Sequence, residues 1–163
     1  MRPTTQGGNA NRSGEILQNQ IVAVFTAHGF KKVEAKEVLA LMARGEPLST
    51  FGDRWLTTQL AAYKNLYGAK FKTDVFVFEE TLWPKGLVVE CKYQRDGGSV
   101  DEKYVFTVMS LLNLPGDTMM LLTGGGARNC AIQWISDQQT KARRFTFCGS
   151  HDQFNNWVSR KLK

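Results

Sequence analysis

The sequence predicts an α/β fold with a mixed central sheet of about four or five strands flanked by helices. Two observations carry this expectation. Apolar residues recur at helical spacing through the first part of the chain, and from Phe71 the period falls to two. Beyond that point strand-like runs alternate with amphipathic ones, giving helices first and then the order β-β-α-β-α-β-α.

Taken in order, Ile16, Leu17, Ile21, Val24 and Phe25 share one helical face from Ser13 onward, and Gly29 stops the run. Glu34 to Arg44 reads as a second helix with Val38, Leu39 and Met42 inward, ended by Gly45 and Pro47. Arg54 to Tyr67 reads as a third, with Trp55, Leu60, Tyr63 and Leu66 as its stripe and Gly68 at its end. Phe71–Phe78 (FKTDVFVF) and Gly86–Tyr93 (GLVVECKY) alternate as strands, joined by a turn containing Pro84, Lys85 and Gly86. The series Ser99-Val100-Asp101-Glu102 has the spacing of a capping box and opens a helix buried through Val105, Val108 and Leu112. A strand over Thr118–Thr123 leads through Gly124-Gly125-Gly126 into a helix containing Ile132, Trp134 and Ile135. A last strand, Arg143–Cys148, precedes a closing helix with Phe154, Trp157 and Val158.

The chain has 163 residues, 42% hydrophobic and 22% charged, the composition of a globular protein that needs neither disulfides nor a structural metal to fold. Residues 1–12 are polar and are expected to form a flexible segment, with one domain over 13–163. No apolar run approaches the roughly 18 residues of a membrane span, and the opening has no secretory pattern, so a cytoplasmic protein with no membrane association is expected. Cys91, Cys130 and Cys148 lie far apart without a C-x-x-C pair, so neither a zinc ribbon nor a redox dithiol is indicated, and they read as buried free thiols. The net charge of +6 is compatible with a polyanionic partner and does not by itself establish one.

Chemistry concentrates in LVVECKYQ. Glu90, Lys92 and Gln94 alternate and therefore project from one face of a strand, while Leu87, Val89 and Cys91 project from the other. Burying such a row without partners costs several kcal/mol per ion, so it needs a metal, a phosphate or solvent. Asp74 interrupts the preceding strand where an acid is disfavoured. Two antiparallel strands joined by a turn bring it beside Glu90. The pair forms a hard-oxygen site suited to Mg²⁺, and Lys92 reaches the water or phosphate beside it.

An Asp, a short gap and then Glu-x-Lys on an alternating strand, here Asp74…Glu90-Cys91-Lys92, resembles the signature of the PD-(D/E)XK nuclease superfamily. The resemblance extends over roughly Ser13 to Trp157 and departs from the pattern at Thr73, where a proline is usual. It implies a restriction-endonuclease-like core and a Mg²⁺-dependent DNA endonuclease, with Mn²⁺ as a substitute ion. Duplex restriction and junction or structure-specific cleavage are both open, each leaving 5′-phosphate and 3′-hydroxyl ends. By position, Asp74, Glu90 and the Cys91 carbonyl would hold the metal, and Lys92 would orient water and offset phosphate charge. Glu15 would be the helix acid added to the metal site, and Gln94 recurs in several branches. Cutting both strands would most simply use a homodimer.

Arg12, Arg95, Lys103, Arg128, Lys141, Arg143 and Arg144 are candidate DNA contacts, and Arg160, Lys161 and Lys163 are weighed equally as phosphate ligands or solvated charge. The glycine run before Arg128 lacks both the G-x-x-x-x-G-K-[ST] and G-x-G-x-x-G patterns and reads as a loop. His28 and His151 are too isolated for a metal pair, and Trp55, Tyr63 and Tyr67 read as core. The rival readings are a non-catalytic nucleic-acid-binding module that retains the fold, and a structural protein whose polar row is an exposed sheet end.

Overall fold

The computed structural model describes the backbone of residues 6–95 and 101–163, and the side chains of 13–95 and 101–163. Six strands form one sheet in sequence order: β1 (Lys31–Lys32), β2 (Arg54–Lys64), β3 (Lys70–Glu79), β4 (Trp83–Tyr93), β5 (Asp117–Thr123) and β6 (Phe145–Cys148). β2, β3 and β4 are antiparallel neighbours, whereas β1 runs parallel to β2, and β5 and β6 parallel to β4. The sheet is mixed, with more strands than the sequence suggested.

Helices cover both faces. On one side Leu17, Ile21 and Phe25 of α1 (Gln6–Ala27) and Phe154 and Val158 of α5 (His151–Lys161) pack on Leu56, Val75, Val77, Leu87 and Val89. On the other, Val38 of α2 (Ala35–Ala43), Tyr104, Val108 and Leu111 of α3 (Asp101–Leu112) and Ile135 of α4 (Asn129–Lys141) pack on Trp55, Phe76, Val88 and Met120. Fully burying side chains of this size stabilises by roughly 1.5–3 kcal/mol each. Both faces of the inner strands are therefore dry, which is why Val75–Phe78 and Leu87–Val89 read as unbroken apolar runs.

The main correction is β2. Arg54–Tyr67 was expected to be a helix, yet Arg54–Lys64 is a strand. Trp55 and Leu60, an odd spacing, contribute to the same core cluster. That is incompatible with a regular strand. Gln59 between them adopts φ 58°, and the pairing with β3 slips between Leu60 and Tyr63. The irregularities break the two-residue alternation and leave an apolar spacing that mimics a helix.

Smaller corrections follow from the same packing. α1 begins at Gln6, before Ser13, and the added turns carry no apolar period to announce them. The turn between β3 and β4 lies at residues 80–82, and Pro84 and Gly86 belong to β4. Gly86 has φ 84°, and a Cβ there would come within 2.1 Å of the Phe76 ring, so only glycine lets that ring pack. α3 is rotated from expectation: Tyr104, Thr107, Val108 and Leu111 are buried and Val105 is exposed. Ile16 and Tyr67 are exposed rather than core, Tyr67 stacking on Phe106 at 5.2 Å. Cys130 is exposed, while Cys91 and Cys148 are buried as expected. The proposed capping residues Ser99 and Val100 lie outside the described residues. Among the described residues no helix is long and apolar enough to cross a membrane.

Candidate active site

β3 and β4 pair regularly from Val77–Leu87 to Val75–Val89 and then part. Where they part, side chains replace the ladder. The Asp74 backbone N–H donates to Glu90 Oε1 at 3.2 Å, and the Cys91 N–H donates to Asp74 Oδ2 at 2.8 Å. Each acid thus satisfies the main chain of the opposite strand. The expected meeting of Asp74 and Glu90 is met, and each carboxylate keeps an oxygen free of these bonds to the opposite main chain.

Glu90 is only 3% exposed. Its pKa is pushed up to about 7, chiefly by burial; Lys92 opposes this and Asp74 adds to it. Lys92 Nζ donates to Glu90 Oε2 at 3.0 Å, and the Lys92 side chain is 32% exposed. Burial alone would lower the pKa of the Lys92 ammonium, but Glu90 and Asp74 outweigh it and hold it above the usual lysine value. The lysine is charged, and it reaches from a dry carboxylate toward water.

Above the pair lies an open cleft of about 570 Å³, lined by Glu15 and Gln18 of α1, Gln59 of β2, Asp74 of β3, and Lys92 and Tyr93 of β4. Glu15 is exposed and stands on the wall of this cleft, on the same cavity as Asp74. Among the described residues no three His, Cys, Asp or Glu side chains converge into a metal cage. The groups placed here that could hold a divalent cation are the Asp74 and Glu90 carboxylates and the Cys91 carbonyl. This hard-oxygen set fits Mg²⁺, which characteristically retains several waters.

Gln59 was not anticipated. It is opposite Asp74 in the β2–β3 register, yet that position is skipped in the pairing, and it is the one non-glycine with positive φ among the described residues. Backbone strain of this kind gathers at functional sites. Its amide donates to Gln18 Oε1 and ties α1 to the sheet across the cleft. Tyr93, also missed, is 42% exposed at the rim. A positive φ away from glycine leaves no mark in a sequence, so Gln59 had no readable signal. Tyr93 had one, its place directly after Lys92.

Beyond the lysine, the Gln94 N–H donates to Thr123 O and its carbonyl accepts from Gly126 N–H, both at 2.8 Å. Gly124, at φ 102°, lies so close that a Cβ would sit 2.3 Å from the Gln94 carbonyl oxygen. The glycine turn after β5 is thus laced to the exit of β4.

The sequence matches the profile of the PD-(D/E)XK nuclease superfamily domain over residues 9–157. The chain belongs to the PD-(D/E)XK nuclease superfamily. No curated protein and no solved structure gives a significant match. In this PD-(D/E)XK domain the candidate basic residues are dispersed. Arg95 and Lys103 are exposed. Arg128 pairs with Asp101, and Arg144 donates to the Pro115 carbonyl. Lys141, Arg143 and Arg144 precede β6, level with the start of β5, and so lie toward the sheet end opposite Lys92. The side chain of Arg12 lies outside the described residues.

Proposed function

We propose that this domain is a Mg²⁺-dependent DNA endonuclease that hydrolyses phosphodiester bonds to 5′-phosphate and 3′-hydroxyl ends. The observation that carries the reading is the crossed pair of hydrogen bonds where β3 and β4 part, Asp74 N–H to the Glu90 carboxylate and Cys91 N–H to the Asp74 carboxylate, with Lys92 Nζ on Glu90. A binding module has no use for a buried carboxylate beside a half-buried one facing a polyanion, since their desolvation and repulsion only cost stability.

A divalent cation bound there supplies charge neutralisation and activation of the attacking water. Asp74, Glu90 and the Cys91 carbonyl hold it. The Lys92 ammonium, charged and part-exposed, orients the water and donates to a phosphate oxygen as negative charge develops. Glu15, on the cleft wall, adds a further acid through water, and Gln94 fixes the strand exit behind the lysine. A chain with one such site cuts a duplex as a homodimer, in restriction or junction cleavage. Unpaired cysteines, Cys130 at the surface among them, favour a reducing compartment such as the cytoplasm.

The test is incubation with supercoiled, linear, single-stranded and branched DNA in Mg²⁺ or EDTA. Nicking is expected in Mg²⁺ alone and lost in Asp74→Ala, which remains folded. Cleavage by Asp74→Ala at near the normal rate overturns the site assignment.

A further inference from the structure

The outer edge of β6 carries a second feature that the catalytic reading does not use. An open groove of about 760 Å³ runs along that strand between α4 and α5. Arg143, Arg160 and Lys163 line it together with Phe147 and Trp157, and among the described residues no acid does. None of the three cations is in an ion pair among the described residues. The acids on the flanking helices, Asp137 and Asp152, are outside the lining. Trp157 stacks on Trp83 at 5.7 Å and is thereby held rigid.

A strand edge normally invites another strand. Here its donors are already taken. The Phe145 N–H donates to the Ala142 carbonyl, the Phe147 N–H to Gln139 Oε1, and the Gly149 N–H to Gln153 Oε1. Strand addition by a peptide or a second copy would find no free N–H there. A two-fold pairing of copies would also set the same cations against each other.

We infer that this groove binds single-stranded nucleic acid, with phosphates on Arg143, Arg160 and Lys163 and bases against Phe147 and Trp157. Unpaired cations beside aromatic faces are the combination that holds an unpaired strand without sequence preference. The groove also has a route to the catalytic cleft. A cleft of about 580 Å³ between them is lined by Tyr93, which it shares with the active site, and by Gly149 and Ser150, which follow directly on Cys148 of the groove. β4 and β6 are two strand spacings apart, about 10 Å. The inference deepens the nuclease reading and rests on it: the groove would hold the unpaired flank of a strand whose scissile phosphate lies near Lys92.

The experiment is fluorescence anisotropy of a single-stranded deoxythymidine oligomer and of a duplex in EDTA, where no cleavage intervenes. Arg143→Glu/Arg160→Glu should weaken single-strand binding at least tenfold and flatten its salt slope by about 1.4. Lys31→Glu/Lys32→Glu on the opposite sheet edge changes net charge equally and should cost less than threefold. Phe147→Ala should weaken the single strand about fivefold and leave the duplex unchanged. Equal losses from both charge-reversal pairs would overturn the groove, as would an unaffected single strand in Phe147→Ala of unchanged thermal stability. Sedimentation showing that Arg143→Glu/Arg160→Glu splits a dimer would assign the groove to a second copy and also overturn it. Plasmid nicking in Mg²⁺ separates the two readings. Nicking by wild type with oligomer binding unchanged in Arg143→Glu/Arg160→Glu removes the groove alone. Groove-dependent binding without any nicking removes the nuclease reading alone.

Discussion

Glu90→Gln should make the metal-free protein more stable while abolishing cleavage. The Glu90 carboxyl rises from 4.5 to about 7 on folding, mainly because it is buried. Below pH 4.5 both folded and unfolded chains are protonated at this group, and it costs nothing. Between pH 4.5 and 7 the unfolded chain ionises first, so stability falls as pH rises. Above pH 7 both states are ionised and the cost is constant. A displacement of this size corresponds to roughly 3 kcal/mol at its ceiling. The amide oxygen of the substituted side chain would still accept the Asp74 N–H, so that hydrogen bond between β3 and β4 is kept. For a domain of this length each kcal/mol moves Tm by roughly 2–4 °C. The variant in EDTA should therefore melt above wild type at pH 8, by roughly 6–12 °C at the ceiling, with the difference shrinking toward pH 4.5. Thermal unfolding followed by circular dichroism across that range reads the difference, because titrating groups remote from Glu90 are common to both proteins and the charged groups coupled to it are Asp74 and Lys92. A gap that is independent of pH, or a variant less stable at pH 8, would refute the argument that Glu90 is strained by desolvation.

Lys92→Ala should lose at least a hundredfold in cleavage rate yet still bind Mg²⁺ by titration calorimetry, because the lysine acts on water and phosphate; loss of ion binding here with retention in Glu90→Ala would invert the roles. Glu15→Gln should lower the rate severalfold and raise the Mg²⁺ concentration for half-maximal activity, whereas an unchanged metal titration would leave Glu15 as a helix-surface charge. Gly86→Ala should destabilise by roughly 2–4 kcal/mol, since the new Cβ meets the Phe76 ring and φ is positive, and urea unfolding would show it.

The polar row of β4 was legible because that strand is regular. Leu87, Val89 and Cys91 go to one core cluster and Val88 to the other, so alternation in sequence maps directly onto faces. Asp74 was legible for a related reason, as an acid breaking an apolar strand. β2 was not, because Gln59 and the slip beyond Leu60 shift the faces partway along it. A pattern rule assumes one parity per strand, and this strand has two. The same distortion sets Gln59 on the cleft wall, so the residue hardest to foresee and the element misread share one cause. The basic residues were legible only as charge. Whether they surround the site depends on strand register and on partners such as Asp101, which the order of residues does not reveal.

The lacing of Gly124 to Gln94 has a genetic consequence. Every single-base change in a glycine codon that alters the residue either installs a Cβ or ends translation. At Gly124 any Cβ meets a main-chain carbonyl that cannot rotate away, because Gly126 and Thr123 hold Gln94 from both sides. This position therefore has no mutational neighbour through which the chain can drift. The polar row can be re-equipped one side chain at a time, while the turn behind it changes only together with the strand it clamps.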